Sequence, residues 1–477
     1  MNRSSYVTCT DMFCGAGGST TGAVAAGAEV RLAMNHWTRA IETHATNYPT
    51  TEHVLADVSL ADPRRYPSTT MLLASPECTN HSLSKGKPRK GLGQDTLWGS
   101  AAPIDPAEER SRCTMWDPLR FAEHHEYQIV ILENVVDARS WRLWDAWLAA
   151  WQALDYAWEI VYFNSMFAHP TPQSRDRMYC VFYKRTNRKP NLTFTPTAYC
   201  PTCEKDQQAV QSWKNPLRPY GKYGRSGQYV YRCPVCASEV VPSYYAAASA
   251  IDWNLPVQRI KDRRKPLKPT TLRRIAAGLQ RHQELRHVSA QVAQTKQAGD
   301  LDMASRPPFL MTLSHGGQDE GKHLAPVERP FLTQTTRDDM ALVTPVLLEL
   351  LWEYRVKPVT HPLMTVVAEG NHHGLLYPPA WLLSYYQTGT VAPITEPVGT
   401  ITTLERHALL TTDTSASLAV GEYGFRMLEP HEIQAAMAFS PDYTITGSRR
   451  ERVRQLGNAV TPPVMHLLME RCLAALA

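Results

Sequence analysis

No run of about 18 uninterrupted apolar residues occurs in the 477-residue chain, so no transmembrane helix is expected. The opening stretch MNRSSYVTCTDMF lacks the apolar core of a signal peptide, and the expected location is cytoplasmic, in a bacterium or a phage-infected host. Ten cysteines without a secretory signal argue against a disulfide framework, because a cytosolic chain is kept reduced. Charge of one sign is also missing in bulk, since 50 Lys and Arg against 45 Asp and Glu leave a formal net charge of +5. That small excess is clustered, at KGKPRKG (85–91), RIKDRRKPLK (259–268) and SRRERVR (448–454), as suits either a polyanionic partner or a solvated face. The length itself exceeds one compact core and implies two or three domains.

Over residues 1–185 apolar runs alternate with amphipathic stretches, the rhythm of a doubly wound α/β domain. The strand candidates are YVTCTDMF, EVRLAMN, TTMLLAS, YQIVILENV, YAWEIVYFN and RMYCVFYKR, and SWRLWDAWLAAWQALD is the clearest helix between them. In such a sheet a nucleotide-like ligand binds beyond the carboxyl ends of the strands. From 186 to 423 the chain turns proline-rich. It carries three related units, beginning at 329, 361 and 396, each with a threonine three residues after a proline, which suggest a β-rich module with a repeated contact loop over 329–410. Residues 424–477 return to a helical pattern that can pack back against the first domain.

CPTC and CPVC place Cys200, Cys203, Cys233 and Cys236 as two knuckles separated by 29 residues. Two such knuckles close a four-thiolate shell, which points to structural zinc in a ribbon over 196–240 and leaves no open position for catalysis.

DMFCGAGGSTTG follows the first strand candidate, and its glycines at 15, 17 and 18 allow a sharp turn and a close approach to a ligand before a helix N-terminus. Four more segments follow in order: SPECTNHS (75–82), LENVVD (132–137), PQSRDR (172–177) and QLGNAVTPP (455–463), the last preceded by RMLEPHEIQAAMAFSPDY. Together these resemble the ordered motifs of the cytosine-C5 DNA methyltransferases, across 6–185 and 424–475. The resemblance implies a Rossmann-like methyltransferase domain, completed by the C-terminal helices, with a smaller, mainly β target recognition domain between them. It also implies S-adenosylmethionine as donor, double-stranded DNA as partner, no membrane, and a monomer.

The reaction so implied explains the residue types. Cytosine C5 is a poor nucleophile until a thiolate adds to C6, and Cys78 is the expected nucleophile. Glu133 is expected at the base's N3, and Arg177 with Arg175 at its carbonyl oxygen. The cofactor set implied by the resemblance is Asp11, Phe13 over the adenine, Gly15, Gly17, Gly18, His36, Trp37, Asp57 at the adenine amino group, Pro76 and Asn458. Reaching C5 requires flipping the base out of the duplex, and the cationic loop with Lys85, Lys87, Arg89 and Lys90 is placed to close over phosphates.

Three positions depart from the family pattern, one of them Thr79, where a glutamine usually follows the cysteine. Glu77 stands where a proline usually precedes the cysteine, and His36 stands where an acidic residue usually meets the ribose. A carboxylate beside the nucleophile discourages thiolate formation and lies near the donor's transferable group. Two alternatives to methyl transfer therefore stay open: a modified donor, such as one transferring carboxymethyl, and a catalytically silent DNA-binding relative. Restriction-modification, self-protection of a phage genome and an orphan role are equally compatible with the sequence.

Overall fold

In a computed structural model of the chain, the described residues are 7–77, 114–245, most of 247–266, 269, 272–273 and 424–477, together with the backbone of short strands between 309 and 410. A seven-stranded sheet organises the N-terminal half, built from β1 (Thr8–Met12), β2 (Glu29–Asn35), β3 (Glu52–Leu55), β4 (Met71–Ala74), β5 (Ile129–Asn134), β6 (Tyr156–Asn164) and β7 (Asp176–Lys184). Their order is β3-β2-β1-β4-β5-β7-β6, with β1 to β5 parallel and β7 antiparallel to both neighbours. The chain winds outward one way from β1 to β3 and then crosses to β4. The gap between β1 and β4 is therefore the switch point where ligands of such sheets bind.

The central strands are apolar throughout because they are covered on both faces; β1, β4 and β5 are buried at every residue. β3 is the edge strand, short and half-exposed, and lacks the apolar run that marks the other six in the sequence. Helices α1 (Gly18–Ala25), α2 (Thr38–Asn47), α3 (Asp117–His125) and α4 (Trp144–Ala153) complete the layers. On α4 the spacing of Trp144, Trp147 and Trp151 puts three indoles on one buried face. Trp151 stacks on Phe182 of β7 at 4.1 Å, and Trp147 Nε1 donates to the Met115 carbonyl at 2.8 Å.

Three helices close the chain: α5 (Pro430–Ala436), α6 (Arg449–Asn458) and α7 (Pro462–Leu476). Capping boxes at Glu429/Glu432 and Ser448/Glu451 start the first two, and proline starts the third. α7 buries Val464, Met465, Leu468, Met469 and Cys472 in the same core as β1 and α1.

The cysteine segment forms a hairpin, β8 (Thr197–Cys200) with β9 (Lys205–Gln208), beside a three-stranded sheet of β10 (Val210–Trp213), β11 (Tyr229–Arg232) and β12 (Glu239–Val240). Tyr229 and Tyr231 are buried, and Gln211 Nε2 donates to the Tyr162 carbonyl of β6 at 2.9 Å. Tyr229 is core where this small sheet packs on the large one. The side chains of the threonine-rich units lie outside the described residues, as do Lys85, Lys87, Arg89 and Lys90.

Candidate active site

Most of the sequence-predicted residues gather at one edge of the sheet, where β1, β2, β4 and β5 end and β7 begins. Asp11 is fully buried in β1. Its Oδ2 accepts from Ser19 Oγ at 2.6 Å and Thr20 Oγ1 at 2.7 Å, while Oδ1 has no hydrogen-bond partner among the described residues. Burial lifts its carboxyl to about 6 against those hydrogen bonds. Thr20 continues the thread to His44 Nε2 at 2.9 Å, and His44 Nδ1 meets His53 Nε2 at 2.8 Å. Burial pushes His44 down to about 3, so this imidazole is neutral, and its contacts tie α1 to α2 and β3. The orphaned oxygen of Asp11, next to a glycine turn, suits a ligand's hydrogen-bond donor.

Phe13 (φ 62), Gly15 (φ 53) and Gly17 (φ 83) hold the turn in the left-handed region. A Cβ on Gly17 would lie 2.3 Å from the Tyr443 hydroxyl, which donates to the Ala16 carbonyl at 2.6 Å. The close approach at Gly18 is to protein rather than to a ligand: a Cβ there would lie 1.9 Å from the Val460 carbonyl oxygen. Its missing side chain makes room for the C-terminal segment.

Glu133, at the end of β5, lies 2.8 Å (Oε1) from Arg177 Nε of β7, and both side chains are about nine-tenths buried. The contact is an ion pair without the alignment of a hydrogen bond at Oε1. The neighbouring Asn134 reaches the Pro76 carbonyl at 3.5 Å and Met115 Sδ at 3.4 Å, and its own Oδ1 accepts from Val135 N at 2.8 Å. Asn134 thus fixes the segment leading to Cys78; Cys78 itself lies outside the described residues. Arg175 is buried, and its guanidinium donates to the carbonyls of Gly457 at 3.1 Å and Ala459 at 3.0 Å. It therefore clamps one motif to another.

His36 and Glu77, two of the departures, face each other at 3.9 Å. Trp37 is covered on one face by the Arg454 guanidinium, 4.5 Å from the ring centroid. Asp57 is exposed and caps the turn after β3, accepting from Ser59 N at 3.1 Å. Pro76 is buried; Asn458, the last residue of α6, is exposed.

The four cysteines converge, with all their sulfur atoms within 4.8 Å of one another. Cys200–Cys236 and Cys203–Cys233 separations are 3.5 and 3.8 Å. A tetrahedron with metal–sulfur bonds of about 2.3 Å has edges of roughly 3.8 Å, so the donors fit a closed zinc site. Glu204 and Ala237, each one residue after the second cysteine of its knuckle, are both left-handed (φ 52 and 59), so the two halves turn alike.

The cysteine-bearing segment also reaches the site edge. Asp176, between the two arginines, accepts from Tyr223 N at 2.9 Å, and Lys222 Nζ pairs with Asp137 at 3.3 Å. Burial lifts the Asp176 carboxyl to about 6. The sequence marks neither Asn134 nor Asp176 beyond their places in LENVVD and PQSRDR, and nothing local in it marks the contacts of Lys222 and Tyr223.

Residues 7–216 match the family model described as C-5 cytosine-specific DNA methylase. No curated protein matches the chain. Solved structures similar to it include the Entamoeba histolytica methyltransferase EhMeth, 11% identical with a TM-score of 0.47, covering 99% of both chains. Another is a variant of Spodoptera frugiperda DNMT2, 13% identical with a TM-score of 0.46, covering 98% of this chain and 99% of that one. Among the described residues no helix is long and apolar enough to cross a membrane.

Proposed function

We propose that the chain methylates C5 of a cytosine flipped out of double-stranded DNA, through a covalent adduct with Cys78, a reading supported by the match of residues 7–216 to the C-5 cytosine-specific DNA methylase model. The observation that carries this reading is the meeting of Glu133, Arg177 and the Pro76 segment at the carboxyl edge of the sheet. The Cys78 thiolate adds to C6, and the electron pair displaced into the ring makes C5 nucleophilic. Glu133 hydrogen-bonds or protonates N3 as that charge develops, and Arg177 places its positive charge at the base's carbonyl oxygen. After transfer a base or water takes the C5 proton, the C5–C6 double bond re-forms and the thiolate leaves. Arg175 acts by holding the Arg177 segment against Gly457 and Ala459.

S-adenosylmethionine supplies the methyl group. Its cradle comprises Asp11, Phe13, the turn at Gly15, Gly17 and Gly18, and the side chains of His36, Trp37, Asp57, Pro76 and Asn458. The orphaned Asp11 oxygen is the observation that favours a ligand there. The ribbon at 196–240 binds one structural zinc through its four cysteines, and 186–423 forms the target recognition region, with the threonine-rich units as groove readers. The protein works as a monomer on the duplex.

Incubation with labelled donor and varied DNA is expected to yield 5-methylcytosine, and a 5-fluorocytosine duplex is expected to trap a covalent protein–DNA adduct by mass spectrometry. Failure of both sinks the reading, and a modified nucleoside heavier than 5-methylcytosine replaces the methyl group with another.

A further inference from the structure

Glu77 and His36 break the motif pattern separately in the sequence but meet in the fold, with Glu77 Oε1 3.9 Å from His36 Nδ1. They follow β4 and β2, the two strands that flank β1, so the pair spans the strand from which the glycine turn rises. Both side chains face open space, being 53% and 41% exposed for His36 and Glu77. The backbone behind each is fixed: Asn35 Oδ1 accepts from Trp37 N at 2.9 Å, and the buried Pro76 is held through its carbonyl by Asn134.

In nucleotide-binding doubly wound sheets, a carboxylate at the carboxyl end of β2 receives the ribose hydroxyls. Here that position holds an imidazole, which in its neutral form offers one acceptor and one donor. The other carboxylates described near this edge are each held by protein groups of their own, Glu133 by Arg177. Asp11 is buried against Ser19 and Thr20, and Asp57 caps its own turn. Glu77 alone among them presents its carboxylate to the end of β2.

We propose that Glu77 and His36 together form the ribose-diol site of the adenosyl donor, Glu77 bringing from β4 the carboxylate that β2 lacks. The inference rests on the reading that the chain binds S-adenosylmethionine. Glu77 accepts hydrogen bonds from the diol, and His36 holds the carboxylate in place while offering its second nitrogen to the same sugar. Glu77 is then a donor-binding residue, and its departure from the pattern compensates for that of His36.

The test is calorimetric titration of the full chain with S-adenosylhomocysteine and with its 2′,3′-dideoxyribosyl analogue. Glu77→Gln is expected to weaken the parent ligand about tenfold to a hundredfold, the loss of a charge-assisted hydrogen bond, and to leave the dideoxy analogue unchanged. His36→Ala is expected to give a smaller loss, confined to the parent ligand, and the double variant less than the sum of the two. If Glu77→Gln binds both ligands as the unaltered chain does, or weakens both equally, the inference fails while donor binding stands. If the unaltered chain binds neither ligand, the donor reading fails and the inference with it.

Discussion

Gly18→Ala is the substitution whose cost is most directly set by geometry. A Cβ at Gly18 would sit 1.9 Å from the Val460 carbonyl oxygen and 2.9 Å from its carbon, where ordinary contact begins at 3.4 Å, so about 1.5 Å of overlap must be relieved. Neither partner is free to give. α1 is held by the Ser19 and Thr20 hydroxyls on Asp11, and Val460 follows Ala459, whose carbonyl receives the Arg175 guanidinium. The remaining route is to lift the start of α7, which exposes part of a face containing Val464, Met465, Leu468 and Met469. Overpacking costs about 1–3 kcal/mol where side chains can adjust, and exposing one large apolar side chain costs about 1.5–3 kcal/mol. With backbone on both sides the expected destabilisation is about 3–5 kcal/mol, well above the roughly 1 kcal/mol that alanine's helix propensity returns. Gly27→Ala is the control, because φ is +93° and nothing lies within 4 Å of its Cβ, so only backbone strain of about 1–2 kcal/mol applies. Urea unfolding by circular dichroism gives the two losses, and hydrogen exchange over 462–476 reports whether α7 loosens first. A Gly18→Ala protein no less stable than Gly27→Ala, with α7 amides as protected as before, would refute the reasoning.

Cys78→Ala is expected to abolish methyl transfer and adduct formation, read by labelled-donor incorporation, while titration still shows donor binding. Glu133→Gln and Arg177→Lys are each expected to lower kcat/KM by about 10²–10⁴ with smaller effects on DNA affinity, as befits groups acting on charge that develops in the ring. One equivalent of zinc is expected on release with a thiol-blocking mercurial; Cys233→Ser should hold less and melt at lower temperature, and a metal-free protein of unchanged stability overturns the ribbon assignment. The Asp176 carboxyl, raised by burial from 3.8 to about 6, keeps its proton in the folded chain at pH values where the unfolded chain has lost it. Its contribution to stability is thus fully present below about pH 4 and lost as pH rises through about 6, roughly 1–3 kcal/mol in all. Urea midpoints of the unaltered chain minus those of Asp176→Asn are expected to fall between pH 4 and 7, and a flat difference argues against the burial.

Six of the seven strands of the large sheet are legible as apolar runs because both faces of the sheet are covered. β3 escapes the pattern because an edge strand with exposed and half-buried residues has no such run to display. The three-tryptophan face of α4 is legible from its spacing, and the convergence of the cysteine knuckles from theirs. Tyr229 is not, since an aromatic next to cations in sequence looks the same whether a nucleic acid or a neighbouring sheet covers it. The pairing of His36 with Glu77 depends on β1 lying between β2 and β4, a strand order that local sequence does not encode. Gly18 is ambiguous for a similar reason: a residue without a side chain says that something comes close, and only the tertiary structure says what.

The motifs themselves divide into groups assigned to the proposed chemistry and groups that fasten one motif to the next. Asn134 binds the second motif's Pro76, Arg175 binds Gly457 and Ala459 of the last, and Gly18 of the first admits Val460 of the last. Each fastening joins segments separated by tens or hundreds of residues, and each uses backbone carbonyls or backbone proximity as the receiving partner. A carbonyl is present at every residue, so the receiving side leaves no trace in composition, whereas the donating side demands one residue type. This is why Asn134 and Arg175 read as part of a catalytic string although their described contacts are structural. It also sets how variants should sort: Asn134→Ala or Arg175→Met leaves a buried carbonyl unsatisfied and should lower stability by about 1–3 kcal/mol together with activity, whereas Glu133→Gln should lower activity with stability largely kept. Parallel measurement of urea midpoints and turnover separates the two groups, and an Arg175→Met protein as stable as the unaltered chain but inactive would move Arg175 from the fastenings to the chemistry.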